Sequence, residues 1–470
     1  RYGFYEAADF TRERTAGSMA VIRSFMSHHI GMSILALDNA LNGNILQRRF
    51  MRHCGMSAFK ELLHEKLPQK VIEYTDHIEH KEKSRYNTRA VGDRMRVDAV
   101  TPVNPKAVTL SNGSWFSLLS DSGAGFCRWN DKVVTRYRKE LTENPRGVFF
   151  VANIGNRYMP LSFAPVYDNR TSYYTEFSKS EAVFSSKRGD AEGRMRVTVH
   201  SVLPGEIREI KLRNASFKRK DFCLLSYLEP VLGRHRDEYA HPAFFGLFVE
   251  AHKKDDGCVI FSRRSRGEKE RNIFLCAGFA ERAETVEIET RRENVLGRLS
   301  GTSRLYRAFD ARFGGVSEAC LDPCCAMRIY GQLAPKEVRT LHFIMAAGAS
   351  PQEARQNFLQ IKKEGYAQVA RKSASLVQNM LHFCSAREEE IRLADLLLPY
   401  LYFPVRNGKE DGDKRSANTR SQRDVWKYGI SGEYPIVFLR VGESDDVPRA
   451  LPFLRAFRLL RLKGADVDLV

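Results

Sequence analysis

Three features of this sequence could do chemistry: a histidine pair, a cysteine cluster and a glycine-rich segment. Neighbouring residues of a helix point about 100° apart, so His28 and His29 are not expected to face one ligand. The cluster Cys320–Cys325 lacks a second ligand pair at zinc-finger spacing, which favours buried free thiols and no metal. Asp121–Arg128 lacks the Gly-Lys-Thr pattern of nucleotide loops, so a plain hairpin and a phosphate-approaching loop both stay open.

The charge of the chain indicates an anionic partner. Its 470 residues include 75 Lys and Arg against 57 Asp and Glu, a formal net charge of +18. No nucleic-acid-binding motif accompanies this charge, so nucleic acid is not expected. The basic runs Lys218–Lys220, Arg263–Arg266 and Arg291–Arg292 fall in predicted turns and are expected to be solvated.

Composition excludes several protein classes. Hydrophobic residues make up 43% and charged residues 28% of the chain, which excludes disorder throughout, a collagen-like repeat and a disulfide-dense scaffold. The longest apolar run, Ala394–Val405, contains Asp395 and two prolines and is shorter than a membrane helix. Nine irregularly spaced cysteines indicate a reducing compartment.

The elements that would position such residues begin with helices. Apolar residues recurring about every 3.6 positions predict a helix over 18–42, capped by Ser18 and ended by Gly43. A shorter helix is predicted after Ser57. Residues 69–100 are polar without a sustained period, which predicts a linker.

Residues 101–348 are predicted to form strands. Asn112-Gly113 and Asp256-Gly257 are dipeptides typical of hairpins. The runs rich in β-branched and aromatic residues are Ala107–Leu110, Phe116–Leu119, Gly147–Ala152, Met195–Val202, Glu206–Leu212, Phe222–Leu228, Phe245–Glu250, Cys258–Ser262, Asn272–Phe279 and Val338–Ala346. About ten or more strands predict one large antiparallel sandwich that no helix interrupts.

Helices are predicted to resume after the strands. Ser350–Glu353 has the Ser, Pro and Glu spacing of a capping box and predicts a helix to about Phe403. A second capping box is predicted at Ser385–Glu388, and breaks at Pro399 and Pro404.

The last part of the chain is mixed. Gly408–Ser421 is predicted as a polar loop, Ile436–Leu439 as a strand or a buried helix, and Val447–Leu462 as a basic amphipathic helix. The chain begins at Arg1 without Met and ends within a strand-like run, so an internal fragment of a longer protein is expected.

Motifs at several places resemble known carbohydrate enzymes. Tyr2–Ala7 followed by Val21–Ser33 resembles the end of the glucoamylase-like (α/α) barrel that acts as a transglycosylase in cyclic β-1,2-glucan synthases. The stretches that resemble the β-sandwich of the cellobiose phosphorylase family are Ser111–Gly113, Asp121–Trp129, Thr135–Arg138, Ala240–Glu250 and Leu321–Pro323. Trp426–Val437 is similar to the entry of that family's (α/α)₆ barrel.

The resemblance implies an α+β multidomain chain, in which a large antiparallel sandwich lies between parts of two (α/α) barrels. The implied domains are residues 1–70, the end of the glucoamylase-like domain; 71–100, a linker; 101–348, the sandwich; 349–405, a helical linker; and 406–470, the truncated start of the catalytic barrel.

The resemblance also implies residue roles in the first barrel and the sandwich. Glu6 would be a catalytic acid or sugar-binding group of the first barrel; without the family it is an ordinary helix-start or loop carboxylate. One of His28 and His29 would face the cleft, while the other packs or is solvated. Arg128 and Trp129 would belong to a sandwich loop that approaches the active site, sometimes that of a partner subunit.

For the second barrel the resemblance implies a glucosyl pocket. The residues assigned to it are Arg420, Gln422, Trp426, Ser431, Gly432 and Glu433. Trp426 and Tyr428 are candidates for stacking on sugar faces, with core packing as the alternative. The family usually has Asp where Glu433 stands, and a Ser-Gly pair where Arg423-Asp424 stands. The extra methylene of Glu433 is expected to move a sugar hydrogen bond by about 1 Å.

The implied function is that of a carbohydrate-active enzyme on β-1,2-linked glucan or gluco-oligosaccharides, joining a transglycosylase-like domain to an inverting phosphorylase-like domain. Phosphate is already a nucleophile, so phosphorolysis needs one carboxylic acid rather than the pair used in inverting hydrolysis. That acid is expected beyond Val470, which would leave the fragment alone inactive. Inorganic phosphate is the implied co-substrate, glucose 1-phosphate is the product, and no cofactor is implied.

Some alternatives stay open. A non-catalytic glucan-binding or scaffolding module is the alternative function, and a homodimer is an open assembly state. The expected location is the cytoplasm, or the cytoplasmic face of the inner membrane through parts of the protein outside this chain.

Overall fold

The chain divides into two compact units, residues 1–87 and 88–470. The structure, a computed structural model, describes residues 5, 7–9, 19–52, 56, 95–98, 100, 104–265, 270, 272–281, 286–298, 300–317, 319–403, 417–442 and 447–470. The helix predicted after Ser57, most of the predicted linker, and the greater part of the predicted loop Gly408–Ser421 lie outside these residues.

Among its described residues, the first unit combines a small strand pair with two helices. Its elements are β1 (Ala7–Asp9), β2 (Ala20–Ile22), α1 (Ser27–Leu41) and α2 (Ile45–Met51). The helix predicted over 18–42 is wrong at its start, because residues 20–22 pair with 7–9 in an antiparallel register. A partner distant in sequence leaves no mark on local periodicity. Gly43 has a φ of 59°, as predicted for the helix end.

The second unit is dominated by strands, most of them antiparallel. They are β3 (Met95–Val97), β4 (Ala107–Ser111), β5 (Trp115–Ser120), β6 (Gly125–Trp129), β7 (Lys132–Thr135), β8 (Phe149–Ile154), β9 (Arg157–Pro160), β10 (Ser172–Phe177), β11 (Ala182–Arg188), β12 (Ala191–Val199), β13 (Gly205–Asn214), β14 (Lys220–Leu228), β15 (Pro230–Gly233), β16 (Val249–Lys253), β17 (Val259–Arg263), β18 (Phe274–Phe279), β19 (Val286–Arg291), β20 (Pro323–Leu333), β21 (Val338–Gly348), β22 (Ile436–Val437) and β23 (Asp468–Leu469).

The strands of the sandwich form three sheets within the described residues. One sheet has nine strands in the order β16-β17-β18-β21-β13-β12-β11-β10-β3. Two five-stranded sheets have the orders β19-β20-β14-β8-β9 and β15-β7-β6-β5-β4. The large antiparallel sheets are therefore confirmed, although three sheets take the place of one simple sandwich. A parallel pair, β22 and β23, lies near the end of the chain.

Local turn chemistry was predicted well. Asn112-Gly113 connects β4 to β5, and Asp256-Gly257 connects β16 to β17, with glycine φ values of 92° and 85°. Only glycine adopts such values without strain, which explains the hairpin signal. Met95–Val97, in contrast, lies in the segment predicted as a linker but pairs with β10.

Short helices interrupt the strands, contrary to the prediction. They are α3 (His235–Ala240), α4 (Pro242–Gly246), α5 (Arg292–Leu296) and a 3₁₀ helix (Thr302–Phe309). The strand predicted over Phe245–Glu250 is wrong at its start, because α4 continues to Gly246 and β16 begins at Val249. Pro242 occupies the first helical turn, where its fixed φ favours a helix.

The main core lies between the sheets. Phe150 and Phe343 are fully buried. The Phe343 ring lies 5.3 Å from both Phe150 and Phe279, edge to face in each case. Such aromatic pairs add a specific geometry to the apolar burial that holds the sheets together.

In the described part of the chain, four helices follow the strands of the sandwich. They are α6 (Pro351–Cys384), α7 (Glu388–Tyr402), α8 (Arg423–Trp426) and α9 (Val447–Leu462). The predicted start of α6 is confirmed, since Ser350 Oγ accepts from the Glu353 N–H at 3.1 Å. The Glu353 carboxylate accepts from the Ala349 N–H at 2.8 Å, one residue before the cap.

The details between α6 and α7 differ from the prediction. Ser385 is not the cap of α7; it ends α6 with a φ of 50°. Arg387 caps α7 instead, and its N–H donates to Glu390 at 2.8 Å. Pro399 does not break α7, which continues through it to Tyr402. The helix predicted over Val447–Leu462 is confirmed.

Helices α7 and α9 are joined to the sheet of β4 and β5 by buried polar contacts. The Tyr137 hydroxyl donates to the Tyr402 carbonyl oxygen at the end of α7. Lys463, directly after α9, donates from Nζ to the Thr109 carbonyl oxygen at 3.1 Å. These contacts set where the last segment of the chain meets the sheet.

The cysteines of the described residues are free, and all except the half-buried Cys320 are buried, as predicted for free thiols. No helix in the described part of the chain is both long and apolar enough for a bilayer crossing.

Glu229 is the centre of a largely buried ionic network. Its carboxylate lies 2.7 Å from Arg136, 2.6 Å from Arg146 and 3.3 Å from Arg292, and it accepts from the Tyr227 hydroxyl at 2.7 Å. Burial alone would raise the pKa of Glu229, but the three arginines outweigh it and lower that pKa to about 2. Glu229 is therefore ionised at any pH at which the protein is handled.

The prediction that the basic runs are solvated is wrong for two arginines. Arg292 contacts Glu229. Arg263 is 5% exposed, lies 2.7 Å from Glu270 and has its guanidinium 4.0 Å from the Phe245 ring centre. Part of the basic character of the chain thus serves internal ion pairs.

Replacing Glu229 by Gln should lower the free energy of unfolding by about 3–5 kcal/mol, because the arginines around it lose their shared counter-charge. Urea denaturation at neutral pH measures this change. Glu192→Gln is the matched control, since Glu192 also pairs with two cations, Lys187 at 2.9 Å and Arg213 at 3.0 Å, but at the surface. Its loss should stay below about 1 kcal/mol; equal losses would contradict the structural role of Glu229.

Candidate functional site

Side chains of the predicted glucosyl pocket converge on one carbonyl oxygen. Gln422 Nε2 and Trp426 Nε1 both donate to the Ser431 carbonyl oxygen, at 2.8 and 3.1 Å. Ser431 Oγ accepts from the Glu433 N–H at 3.2 Å, and Gly432 between them has a φ of 67°. The structure therefore brings these five predicted residues into one closed turn, which we call the 420–433 turn.

Asp424 organises the start of the 420–433 turn. Its Oδ2 accepts from the Ser421 N–H at 2.7 Å, and Arg420 Nη1 lies 3.5 Å from its Oδ1. Sequence reasoning assigned no role to Asp424, although Ser421-x-x-Asp424 has the spacing of a helix cap. Arg420, the sixth predicted pocket residue, is thus placed beside the turn by this carboxylate.

The aromatic side chains of the turn are exposed. Trp426 is 58% and Tyr428 is 71% exposed, and the Lys427 ammonium lies 4.9 Å from the Tyr428 ring centre. Core packing, the alternative for both rings, is therefore absent among the described residues. Exposed ring faces beside hydrogen-bonding groups can receive a ligand with one apolar and several polar surfaces.

A helix of the sandwich contacts the turn. Arg236 of α3 places Nη1 3.1 Å from Glu433 Oε1. Both side chains are more than half exposed, so the pair is screened by solvent. Nothing in the local sequence linked positions 236 and 433, because they are brought together only by the tertiary structure.

Arg128 and Trp129 make contacts of another kind. Arg128 pairs with Asp466, donates to the Gly464 carbonyl oxygen and lies 5.2 Å from the Phe116 ring centre. Trp129 is partly buried against the core between the sheets. The contacts of both residues join β6 to its own sheet and to the residues that follow α9.

The glycine-rich segment connects β5 to β6 as a hairpin. The Gly123 N–H donates to the Ser120 carbonyl oxygen at 2.9 Å, and the Gly125 N–H donates to the Arg146 carbonyl oxygen at 2.8 Å. A Cβ atom at Gly125 would lie 1.8 Å from the Leu118 carbonyl oxygen. Because these N–H groups are already bonded, the geometry favours the hairpin over a phosphate cradle.

Asp121 begins this hairpin connection and is 1% exposed. Neither of its carboxyl oxygens has a hydrogen bond of normal geometry among the described residues. Burial raises the pKa of Asp121 to about 7, and the backbone of Lys106 and Ser122 opposes this rise only in part. Asp121 is therefore expected to titrate near neutral pH.

The candidates of the first unit are only partly described. Glu6 lies outside the described residues. His28 is exposed and His29 is half-buried, and their ring centres lie 4.1 Å apart in an edge-on contact. This contact does not test the expectation that the two side chains do not face one ligand, so it stays a prediction. Within the described ranges, no three His, Cys, Asp or Glu side chains are placed to hold a metal ion.

Comparison with known proteins relates the chain to carbohydrate enzymes. The family described as glycosyl hydrolase 94, supersandwich domain, matches residues 94–364. Cyclic beta-(1,2)-glucan synthase NdvB of Rhizobium meliloti (strain 1021) is 27% identical over 484 residues, which cover 100% of this chain and 17% of that relative. The chain thus spans about a sixth of the length of the curated relative it matches.

Solved structures are less similar. A putative kojibiose phosphorylase from the human microbiome has a TM-score of 0.39 at 8% identity, covering 65% of this chain and 41% of that one. A bacterial glucoamylase complexed with acarbose has a TM-score of 0.38 at 10% identity, covering 65% of this chain and 43% of that one.

Replacing Asp121 by Asn should remove a pH dependence of stability. The folded-state pKa of about 7 lies above the unfolded value of about 3.9, so folding retains a proton that the unfolded chain loses. The contribution of Asp121 to the free energy of unfolding is therefore fully present below about pH 4 and is lost as the pH rises through about 7.

Urea unfolding of the two proteins between pH 4 and 8 measures this dependence. The free energy of unfolding of Asp121→Asn should rise relative to the wild type as the pH increases. Asp131→Asn, at an exposed position, should follow the wild-type profile. A constant difference between Asp121→Asn and the wild type would show that Asp121 does not titrate in this range.

Proposed function

The chain belongs to the glycosyl hydrolase 94 family through its supersandwich domain, and we propose that it is the junction between a transglycosylase-like domain and an inverting phosphorylase-like domain of a β-glucan enzyme. It is related to the cyclic β-(1,2)-glucan synthase NdvB. The proposed substrate is a β-1,2-linked glucan or gluco-oligosaccharide, because the name of that relative specifies a β-(1,2)-glucan.

The 420–433 turn is the proposed glucosyl pocket. The observation that carries this proposal is the convergence of Gln422 and Trp426 on the Ser431 carbonyl oxygen, in a turn that also presents the exposed carboxylate of Glu433. A glucosyl ring offers hydroxyl groups around its rim and apolar C–H groups on its faces. Carboxylate and amide groups suit the hydroxyls, and the exposed Trp426 ring suits an apolar face.

The proposed reaction is inverting phosphorolysis. A phosphate oxygen forms a bond to the anomeric carbon as the bond from that carbon to the glycosidic oxygen breaks, and a carboxylic acid donates a proton to the leaving oxygen. Phosphate carries its own negative charge and needs no general base, in contrast to the water of inverting hydrolysis. We assign the acid to a position beyond Val470, and phosphate is the only co-substrate.

The flanking regions complete the proposed architecture. Residues 1–70 are the end of a glucoamylase-like (α/α) barrel, with Glu6 and one of His28 and His29 lining its cleft. Residues 406–470 are the start of the (α/α)₆ barrel that carries phosphorolysis. In chain order, the observed helices α1 and α2 precede the strands of the sandwich and α8 and α9 follow them, which supports this assignment.

The full-length gene product tests the proposal directly. With β-1,2-gluco-oligosaccharides and inorganic phosphate it should release glucose 1-phosphate, detected enzymatically. Binding of the oligosaccharide without release would favour the alternative, a non-catalytic glucan-binding or scaffolding module. If the protein neither binds the oligosaccharide nor releases glucose 1-phosphate, both the proposed reaction and the alternative are wrong.

Replacing Trp426 by Ala should weaken the affinity for a β-1,2-gluco-oligosaccharide roughly three- to tenfold, because a stacked aromatic ring contributes up to about 1.5 kcal/mol. Isothermal titration calorimetry of the full-length protein measures the dissociation constant. Phe217→Ala is the matched control: Phe217 lies on the connection between β13 and β14, is 85% exposed and has the Lys336 ammonium 3.9 Å from its ring centre. If Trp426→Ala and Phe217→Ala bind the oligosaccharide with equal affinity, the assignment of Trp426 to the pocket is wrong.

A further inference from the structure

Helix α3 is clamped to the sandwich at Glu238. This residue is 1% exposed, and the two Nη atoms of Arg138 lie 2.5 and 2.7 Å from its two carboxylate oxygens. Arg136 Nε lies 3.2 Å from the same carboxylate. Bidentate arginine–carboxylate pairs fix orientation as well as distance, so the placement of α3 is closely defined.

The clamp continues into the buried ionic network. Arg136 contacts Glu238 through Nε and Glu229 through Nη1, at 3.2 and 2.7 Å. One guanidinium therefore connects α3 to the carboxylate that Arg146 and Arg292 also share. A movement of α3 would separate charges that are shielded from water, which is costly.

Arg236 lies on the opposite side of the same helix. Residues two positions apart on a helix point about 200° apart, so the burial of Glu238 directs Arg236 outward. Its side chain is 84% exposed, and its Nη1 reaches Glu433 Oε1 at 3.1 Å. The rigidly held side of α3 thus faces the core, while its outer side contacts the 420–433 turn.

We propose that Arg236 is a positioning residue for Glu433 and that the sandwich thereby sets the geometry of the glucosyl pocket. The inference rests on the proposed function, in which Glu433 receives sugar hydroxyl groups. Glutamate has three side-chain torsions, and a free carboxylate would sample many orientations. The pair with Arg236 restrains one oxygen of Glu433 and leaves the other to accept a hydrogen bond from the sugar.

The physical setting of the pair predicts where its effect appears. An exposed ion pair contributes little to folding stability, so removing Arg236 should leave the melting temperature unchanged. Ligand affinity, in contrast, depends on how far Glu433 is ordered before the sugar arrives. A loss of ligand affinity without a change in melting temperature therefore indicates a positioning role for Arg236 rather than a merely structural one.

The experiment compares full-length variants by calorimetry with a β-1,2-gluco-oligosaccharide and by thermal unfolding. Arg236→Ala should weaken binding roughly three- to fivefold, the upper range for an exposed ion pair, and Arg236→Lys should recover part of the loss. Arg234→Ala is the matched control, because Arg234 also forms an exposed pair, at 3.1 Å with Asp131, and should bind as the wild type does. All three variants should melt as the wild type does.

A fourth variant tests whether Arg236 acts through Glu433. In a Glu433→Gln background, adding Arg236→Ala should cause no further loss of affinity, since the charge that Arg236 holds is gone. If the wild type binds the oligosaccharide and Arg236→Ala and Arg234→Ala have equal affinities, the inference is wrong and the proposed function is unaffected. The same loss in both backgrounds would also overturn it. A wild-type protein that neither binds nor cleaves the oligosaccharide would overturn the proposed function itself.

Discussion

The carboxylate of Glu229 is withdrawn from water and shared by Arg136, Arg146 and Arg292. Such a group is stable only while its counter-charges stay in place. The strand β15 begins next to it, and Arg136 extends the network to Glu238 in α3. The part of the sandwich that reaches the 420–433 turn is therefore held by electrostatics within the fold as well as by apolar packing.

The buried ionic network also affects how the net positive charge of the chain is interpreted. A net charge of +18 suggests a surface adapted to an anion, yet Arg136, Arg208 and Arg328 are nearly inaccessible. Arg208 pairs with Glu206, and Arg328 donates to carbonyl oxygens of the 3₁₀ helix. Guanidinium groups suit this role, because they stay protonated and offer several donors in a plane. Internal pairing accounts for part of the arginine content without any external partner.

Patterns that depend on neighbouring residues were predictable. The hairpins at Asn112-Gly113 and Asp256-Gly257 and the start of α6 at Ser350 follow from backbone conformation and local hydrogen bonds. The failures share a different cause. Residues 20–22 satisfy a helical period but pair with 7–9, and Ser385 resembles a cap but takes the left-handed conformation that ends α6. α7 continues through Pro399 to Tyr402, although proline cannot donate the backbone hydrogen bond to residue 395.

The sequence by itself determined the strand-rich block and the helices after it, because alternation and capping are properties of short segments. The family resemblance followed from the same short segments and their order. Only the tertiary structure decided that Arg236 meets Glu433, that Arg128 pairs with Asp466, and that Glu229 gathers its arginines. Each of these contacts joins residues tens to hundreds of positions apart, and the geometry that brings them together is set by how the sheets and helices pack rather than by any local pattern.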